Sequence, residues 1–110
     1  MPTITISMPA SRLAAAEPRI DKFIDDTVKT CMEIMEVTAD KVQITFLPAH
    51  EKFHGRPANI HVTYRGKASR TREVVERFME RLETVFVPAF GFPPRIRCLP
   101  NDETKLSARN

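Results

Sequence analysis

The sequence predicts a two-layer α+β sandwich, in which a four-stranded sheet carries two helices on one face. Four short segments alternate apolar and polar residues, which is the period of a half-buried strand. Two longer segments repeat apolar residues at the spacing of an amphipathic helix. These segments follow in the order strand, helix, strand, strand, helix, strand. Two β-α-β units of this kind form a sheet layer and a helix layer.

The first unit occupies residues 3–47. Its first strand is TITISM at 3–8, and its second strand is KVQITFL at 41–47. The helix between them has Pro18 near its start, where a missing N–H costs little. Its apolar face consists of Ile20, Phe23, Ile24, Val28, Cys31, Met32 and Met35. A connection of this length normally makes a right-handed crossover, so we expect the two strands to be parallel.

The second unit follows the segment PAHEKFHGRPA, whose prolines and glycine indicate a loop. Its strands are NIHVTYR at 59–65 and the short RIRCL at 95–99. The helix between them runs from about Ser69, a favourable N-cap, to about Phe86. We place Arg70 on its solvated face.

The sheet face turned away from the helices is polar along its whole length. Its residues are Thr3, Thr5, Ser7, Gln43, Thr45, Asn59, His61, Thr63, Arg95 and Arg97. Such a face either meets water or packs against copies of itself around a symmetry axis. The sequence leaves both arrangements open.

Length and composition indicate one soluble domain. The chain has 110 residues, of which 42% are hydrophobic and 28% charged, the ordinary balance of a globular protein. We expect one domain over residues 1–99 and a polar C-terminal tail over residues 100–110. Since no apolar run approaches the ~20 residues of a membrane span and no signal-like leader is evident, we expect a cytoplasmic protein with no membrane partner.

Cys31 and Cys98 stand apart in apolar surroundings, without a CxxC spacing. This pattern predicts two reduced, buried thiols rather than a disulfide.

The segment HEKFH at 50–54 matches the HExxH pattern of zinc proteases. That chemistry requires a helix that turns both histidines towards one metal ion. Pro48 and Pro57 leave room for little more than one turn, so we predict a polar loop and no metal site.

The net charge of +3 favours anionic ligands but is too small and dispersed to indicate nucleic acid. The RNA recognition motif has the same order of elements and stacks bases on aromatic residues of its first and third strands. Here these strands carry only Tyr64. We therefore do not expect a nucleic-acid partner.

The chain begins Met-Pro, and loss of Met1 would leave Pro2 with a free secondary amine. An α-amine titrates at ~7.7–8.0 in model peptides, and an apolar pocket or nearby arginine charge lowers this pKa. A base whose pKa lies near the working pH is the most effective proton shuttle.

Taken together, the Met-Pro start, the alternating first strand, Arg12, the long helix and KVQITFLP resemble the tautomerase superfamily over roughly residues 2–99. This superfamily includes 4-oxalocrotonate tautomerase, the macrophage migration inhibitory factor group, and related dehalogenases and decarboxylases. The resemblance implies a processed N-terminal proline that acts as general base or acid, in a homotrimer.

The resemblance also implies which residues form the site. Pro2 would be catalytic, and Arg12, ten residues later, would bind a substrate carboxylate. Arg65 closes the third strand, where the dehalogenases and decarboxylases place carboxylate-binding arginines. Arg97 is a further substrate-binding candidate from the last strand. Gln43 stands where 4-oxalocrotonate tautomerase carries its second arginine, so the sequence departs from that enzyme here.

The expected reaction is keto–enol tautomerisation, or a related hydration or decarboxylation, of a small keto/enol or unsaturated carboxylic acid. A planar guanidinium suits this substrate class because it grips a carboxylate through two hydrogen bonds. The expected partners are the anionic carboxylate substrate and further copies of the chain, and no cofactor is required. The alternative is a non-catalytic homotrimer of the same fold that acts through surface binding.

Overall fold

The computed structural model describes residues 2–101 and 107–109. Its helices and strands are β1 (Thr3–Pro9), α1 (Ala10–Ala15), α2 (Glu17–Ile34), β2 (Gln43–Ala49), β3 (Asn59–Arg65), α3 (Arg72–Phe90) and β4 (Arg95–Asn101), with a 3-10 turn at Ala39–Lys41. The strands form one four-stranded sheet. The predicted fold class is confirmed.

The sheet has the strand order β2-β1-β3-β4. β1 and β2 are parallel, β3 and β4 are parallel, and β1 pairs with β3 antiparallel. The parallel pairing expected within each β-α-β unit is therefore confirmed. In a ferredoxin-like module the β-α-β unit is split by an intervening strand. Here the two strands of each unit are neighbours, so the pairing differs from that of an RNA recognition motif.

The core lies between one sheet face and the two long helices. The side chains of Ile4, Ile6, Ile60 and Val62 alternate along β1 and β3 and are fully buried on this face. The helices contribute apolar side chains to the same cluster, among them Phe23, Cys31, Ile34, Phe78, Leu82 and Phe86. Burial of each large apolar side chain stabilises the fold by about 1.5–3 kcal/mol.

The segment before α3 differs from the sequence prediction. Thr71, not Ser69, is the N-cap, and its hydroxyl accepts a hydrogen bond from the Val74 amide at 3.3 Å. The helix consequently begins at Arg72 and continues through Pro88 to Phe90, where Gly91 ends it in the left-handed conformation at φ 86°. The solvated position predicted for Arg70 is wrong, because Arg70 precedes the helix and is buried.

α1 is an element that the sequence pattern did not predict. It follows β1 directly, is six residues long and has no buried residue. Only Leu13 of this helix packs against the core, so α1 leaves no apolar periodicity in the sequence. Its alanines nevertheless have a high helix propensity.

The segment between β2 and β3 contains no helix, which confirms the predicted loop over HEKFH. Glu51 holds this loop against α1, because its carboxylate accepts hydrogen bonds from the Ser11 amide, at 3.1 Å, and from the Ser11 hydroxyl. Within residues 2–101 and 107–109, no three His, Cys, Asp or Glu side chains come together as a metal site would require. No helix in these ranges is both long and apolar enough to cross a membrane.

Neither cysteine forms a disulfide, as predicted, whereas the burial predicted for both is complete only for Cys31. Cys31 is buried and Cys98 is partly buried. Burial raises the pKa of the Cys31 thiol to about 12 and that of Cys98 to about 11. Neither side chain forms an appreciable amount of thiolate at neutral pH, so both act as apolar packing residues.

Candidate active site

Pro2 lies at the head of β1, and its side chain is fully buried. Its carbonyl accepts a hydrogen bond from the Gln43 amide at 3.0 Å, which ties the start of the chain to the edge strand β2. Met1 lies outside the described residues, so its removal remains a prediction.

A cleft opens at this same end of the sheet. Because β3 runs antiparallel to β1, and β4 runs parallel to β3, the start of β1 meets the ends of β3 and β4. The cleft has a volume of about 660 Å³. Thr3, Thr63 and Asn101 line it from the sheet. The connection between α2 and β2 contributes Glu36, Val37, Thr38 and Lys41.

The lining of the cleft is strongly cationic. Its basic residues are Lys41, Arg65, Lys67, Arg70 and Arg109, and Glu36 is the one carboxylate among the described lining residues. Positive side chains that surround a concave site raise the local concentration of anions. The cleft is therefore suited to a small anionic ligand.

The strand register places the backbone of Arg65 near Pro2. Thr3, the first residue of β1, pairs with Thr63 on β3, and Arg65 follows two residues after Thr63. At the usual strand spacing, this register brings the Arg65 backbone within about 10 Å of Pro2. The side chain of Arg65 is exposed and lines the cleft.

The sequence pattern identified Arg65 and missed the other basic lining residues, which are Lys41, Lys67, Arg70 and Arg109. Arg70 is the buried one among them. It is 9% exposed, and it donates hydrogen bonds to the Arg65 carbonyl at 2.7 Å and the Met35 carbonyl at 3.4 Å. Its guanidinium lies 6.0 Å from the centre of the Tyr64 ring. The one sequence signal that pointed here was the run of cations from Arg65 to Arg72, which no acidic residue interrupts.

The loop between β3 and α3 is held by backbone contacts. The Gly66 amide donates to the Asn101 carbonyl, and the Arg70 amide donates to the Lys67 carbonyl, both at 2.9 Å. A Cβ atom on residue 66 would lie 3.3 Å from the Asn101 carbonyl oxygen, closer than side chains normally approach. Glycine thus allows β4 and this loop to meet at the edge of the cleft.

The structure does not bring Arg12 and Arg97 to the cleft within one chain. Arg12 lies in α1, beyond the far end of the seven-residue strand β1, which separates it from Pro2 by about 20 Å. Its guanidinium stacks 4.6 Å from the centre of the Phe92 ring. Arg97 pairs with His61 in the middle of β4 and is exposed on the polar sheet face.

The polar sheet face also carries two exposed leucines. Leu47 is 48% exposed and pairs with Ser7, and Leu99 is 55% exposed and pairs with Thr63. In the described parts of the chain, no helix covers this face.

Comparisons with known proteins find resemblance in structure alone. No protein-family model matches the sequence, and no curated protein matches it. Among solved structures, a fused 4-OT wild-type symmetric trimer matches with a TM-score of 0.79 and 11% identity, covering 97% of this chain and 93% of that chain. Malonate semialdehyde decarboxylase matches with a TM-score of 0.71 and 14% identity, covering 98% and 91%.

A macrophage migration inhibitory factor-like protein from Entamoeba histolytica matches with a TM-score of 0.73 and 10% identity, covering 98% of this chain and 95% of that chain. All three likenesses extend over nearly the whole of both chains, and identities this low establish the fold and not the activity. The chain has the fold of the tautomerase superfamily.

Proposed function

We propose that this protein is a tautomerase-like enzyme in which Pro2, after removal of Met1, acts as general base and general acid. The substrate is a small keto/enol or unsaturated carboxylic acid. One observation carries this proposal above the others: a buried proline and a cationic cleft lie at the same end of a tautomerase-type sheet. Fold neighbours that are enzymes, such as malonate semialdehyde decarboxylase, support a related activity.

The proposed chemistry is a proton shift. In ketonisation of an enol, the Pro2 nitrogen accepts the proton of the enol hydroxyl, and the carbonyl forms as the C=C electron pair moves to the adjacent carbon. The protonated amine then delivers its proton to that carbon, so the amine is regenerated. Since the free amine must accept the first proton, its pKa has to lie near or below the working pH.

Arg65 is the proposed carboxylate-binding residue of this site. Its exposed guanidinium lines the cleft at the Pro2 end of the sheet, and Lys67 lines the same wall two residues later. A bidentate hydrogen bond from Arg65 would fix the substrate carboxylate, while Lys67 adds a positive charge near the developing enolate.

Arg12 and Arg97 enter this proposal through a homotrimer. Both lie away from the cleft of their own chain, so only a neighbouring protomer could bring them to it. The uncovered sheet face and its exposed Leu47 and Leu99 offer a surface for such an assembly. Solved structures of fused 4-OT trimers with the same fold support self-association.

Two measurements test the proposal. Intact mass spectrometry is expected to show the chain without Met1. A phenylenolpyruvate ketonisation assay is expected to show activity in the wild type, and a loss of about 10²-fold or more in Pro2→Ala, as for removal of a general base. Pro18→Ala is the matched control, because Pro18 is exposed in the first turn of α2 and its variant is expected to keep full activity.

A chain with one additional, uncleaved residue before Pro2 provides a second variant. It keeps the proline ring and turns its amine into an amide, so it is expected to be inactive. Equal activity in the wild type and Pro2→Ala, or no activity in the wild type, would contradict the proposal and favour the non-catalytic homotrimer.

The cytoplasmic location and the division of the chain at residue 99 also stay predictions.

A further inference from the structure

Arg70 is an unusual residue to find buried. It is 9% exposed, and among the described residues no carboxylate pairs with it. Its Nε atom is buried and has no hydrogen-bond partner among these residues. An arginine rarely leaves water without an acidic partner, because the lost hydration costs free energy. Such a position calls for a role beyond packing.

The hydrogen bonds of Arg70 join two walls of the cleft. Nη1 donates to the carbonyl of Arg65 at the end of β3, and Nη2 donates to the carbonyl of Met35, the C-cap of α2. Residues 36–38 follow Met35 directly and line the opposite wall. One guanidinium thus connects the backbone that carries Arg65 to the end of the helix across the cleft.

We infer that Arg70 is a positioning residue, which fixes the Arg65 backbone so that the Arg65 guanidinium meets a carboxylate bound in the cleft. This inference rests on the carboxylate-binding part of the proposed function. Arg70 then affects carboxylate binding through the position of Arg65. The two residues should therefore be coupled in binding, whereas two independent cations would contribute separately.

The test is a double-mutant cycle on binding of 4-fluorocinnamate, an unreactive carboxylate, followed by 19F NMR. Arg65→Ala is expected to weaken binding about 10-fold, as for loss of a hydrogen bond to a charged group. Arg70→Met is expected to weaken it about 5-fold in the wild type and less than about 2-fold in Arg65→Ala, which is the non-additivity of coupled residues. Additive losses, or an unchanged affinity in Arg70→Met, would overturn the inference.

Arg70→Lys separates position from charge. A lysine ammonium keeps the positive charge but lacks the planar fork that spans both carbonyls, so the loss is expected to resemble that of Arg70→Met. Wild-type affinity in Arg70→Lys would show that charge alone matters and would overturn the inference. Arg72→Met is the matched control, because Arg72 is exposed and pairs with Glu76 on α3, and its variant should bind normally.

Circular dichroism reports whether each variant folds. If both Arg70→Met and Arg70→Lys were unfolded, Arg70 would be a structural residue and the inference would fail. Absence of 4-fluorocinnamate binding in the wild type would also overturn it. Because binding is measured without turnover, coupling between Arg65 and Arg70 in a protein without ketonisation activity would uphold this inference and contradict only the proposed reaction.

Discussion

Phe86 lies at the centre of an aromatic cluster and is fully buried. Its ring stacks on Phe90 at 4.4 Å between centroids, and it meets Phe23 and Phe92 edge to face at 5.8 and 5.7 Å. Close packing against three aromatic rings prevents the neighbouring side chains from moving into the space that a smaller residue would leave. Truncation of Phe86 would therefore open a cavity in the core.

We therefore expect Phe86→Ala to lower the free energy of unfolding by about 3–5 kcal/mol. Urea denaturation followed by circular dichroism measures this quantity. Phe53→Ala is the control, because Phe53 is 53% exposed in the loop between β2 and β3. Phe53→Ala should change the free energy of unfolding by less than about 0.5 kcal/mol. A similar loss in both variants would contradict the placement of Phe86 in the core and of Phe53 outside it.

Single residues also show how far sequence alone could predict the site. Pro2 was identified from the Met-Pro start and Arg65 from the resemblance to the tautomerase superfamily, and the structure places both at one end of the sheet. Arg70 was assigned to a helix surface, because a pattern cannot tell a first helical turn from the loop before it. Burial of Arg70 depends on contacts with the distant carbonyl of Met35, which no local pattern reports.

At the scale of elements, the start of α3 offers a direct test of its N-cap. The Thr71 hydroxyl accepts from the Val74 amide, whereas Ser69 lies outside the helix. Thr71→Ala is therefore expected to cost about 1 kcal/mol in urea denaturation. Ser69→Ala should change stability by less than about 0.5 kcal/mol. A larger loss of stability in Ser69→Ala than in Thr71→Ala would instead indicate that the helix begins at Ser69, as the sequence predicted.

The contact between the β2–β3 loop and α1 should depend on pH. Hydrogen bonds from Ser11 hold the pKa of Glu51 below its ordinary value of 4.5. The folded form thus binds this proton less readily than the unfolded form. The stabilisation is fully present above pH 4.5 and is lost as the pH falls through the lowered pKa.

The Ser11 amide resonance reports this loss in an NMR pH titration. We expect its chemical shift to change with a midpoint below pH 4.5, and we expect the change to disappear in Glu51→Gln. If the Ser11 amide resonance still shifted with pH in Glu51→Gln, a group other than Glu51 would be responsible for the change. Glu51 is exposed and not part of the core, so the overall fold should remain intact.

Periodicity predicted the elements that bury one face, and it failed for the others. β1 and β3 alternate cleanly, and their predicted ranges differ from the observed ones by one residue at most. α1 packs only Leu13 against the core, has no fully buried residue and was missed. β4 was predicted to end at residue 99 but continues to Asn101. Pro100 and Asn101 no longer alternate apolar and polar residues, yet they pair with Tyr64 and Arg65 of β3.

For the whole molecule, the uncovered sheet face predicts self-association. Leu47 is 48% exposed on this face and lies at the end of the sheet far from the cleft. Size-exclusion chromatography with light scattering is expected to give three times the chain mass of 12.6 kDa. Leu47→Glu is expected to shift the protein to the monomer, because burial of an unpaired carboxylate is costly.

Met32→Glu is the control for this change. Met32 is 44% exposed on α2, in the helix layer, so its variant should keep the mass of the wild type. A wild-type monomer, or dissociation caused equally by both variants, would contradict assembly through the sheet face. The sequence left this question open, because a polar strand face fits both water and a symmetric partner.

The strand directions also have a practical consequence for how the protein is prepared. β1 begins beside the cleft, and Arg109 lines it near the end of the chain. A purification tag fused before Pro2 or after Asn110 therefore starts within reach of the cleft. A leading tag would also acylate the nitrogen on which the proposed reaction depends. Insertion of an affinity handle into the exposed segment at 52–56, at the opposite end of the sheet, would leave both termini native.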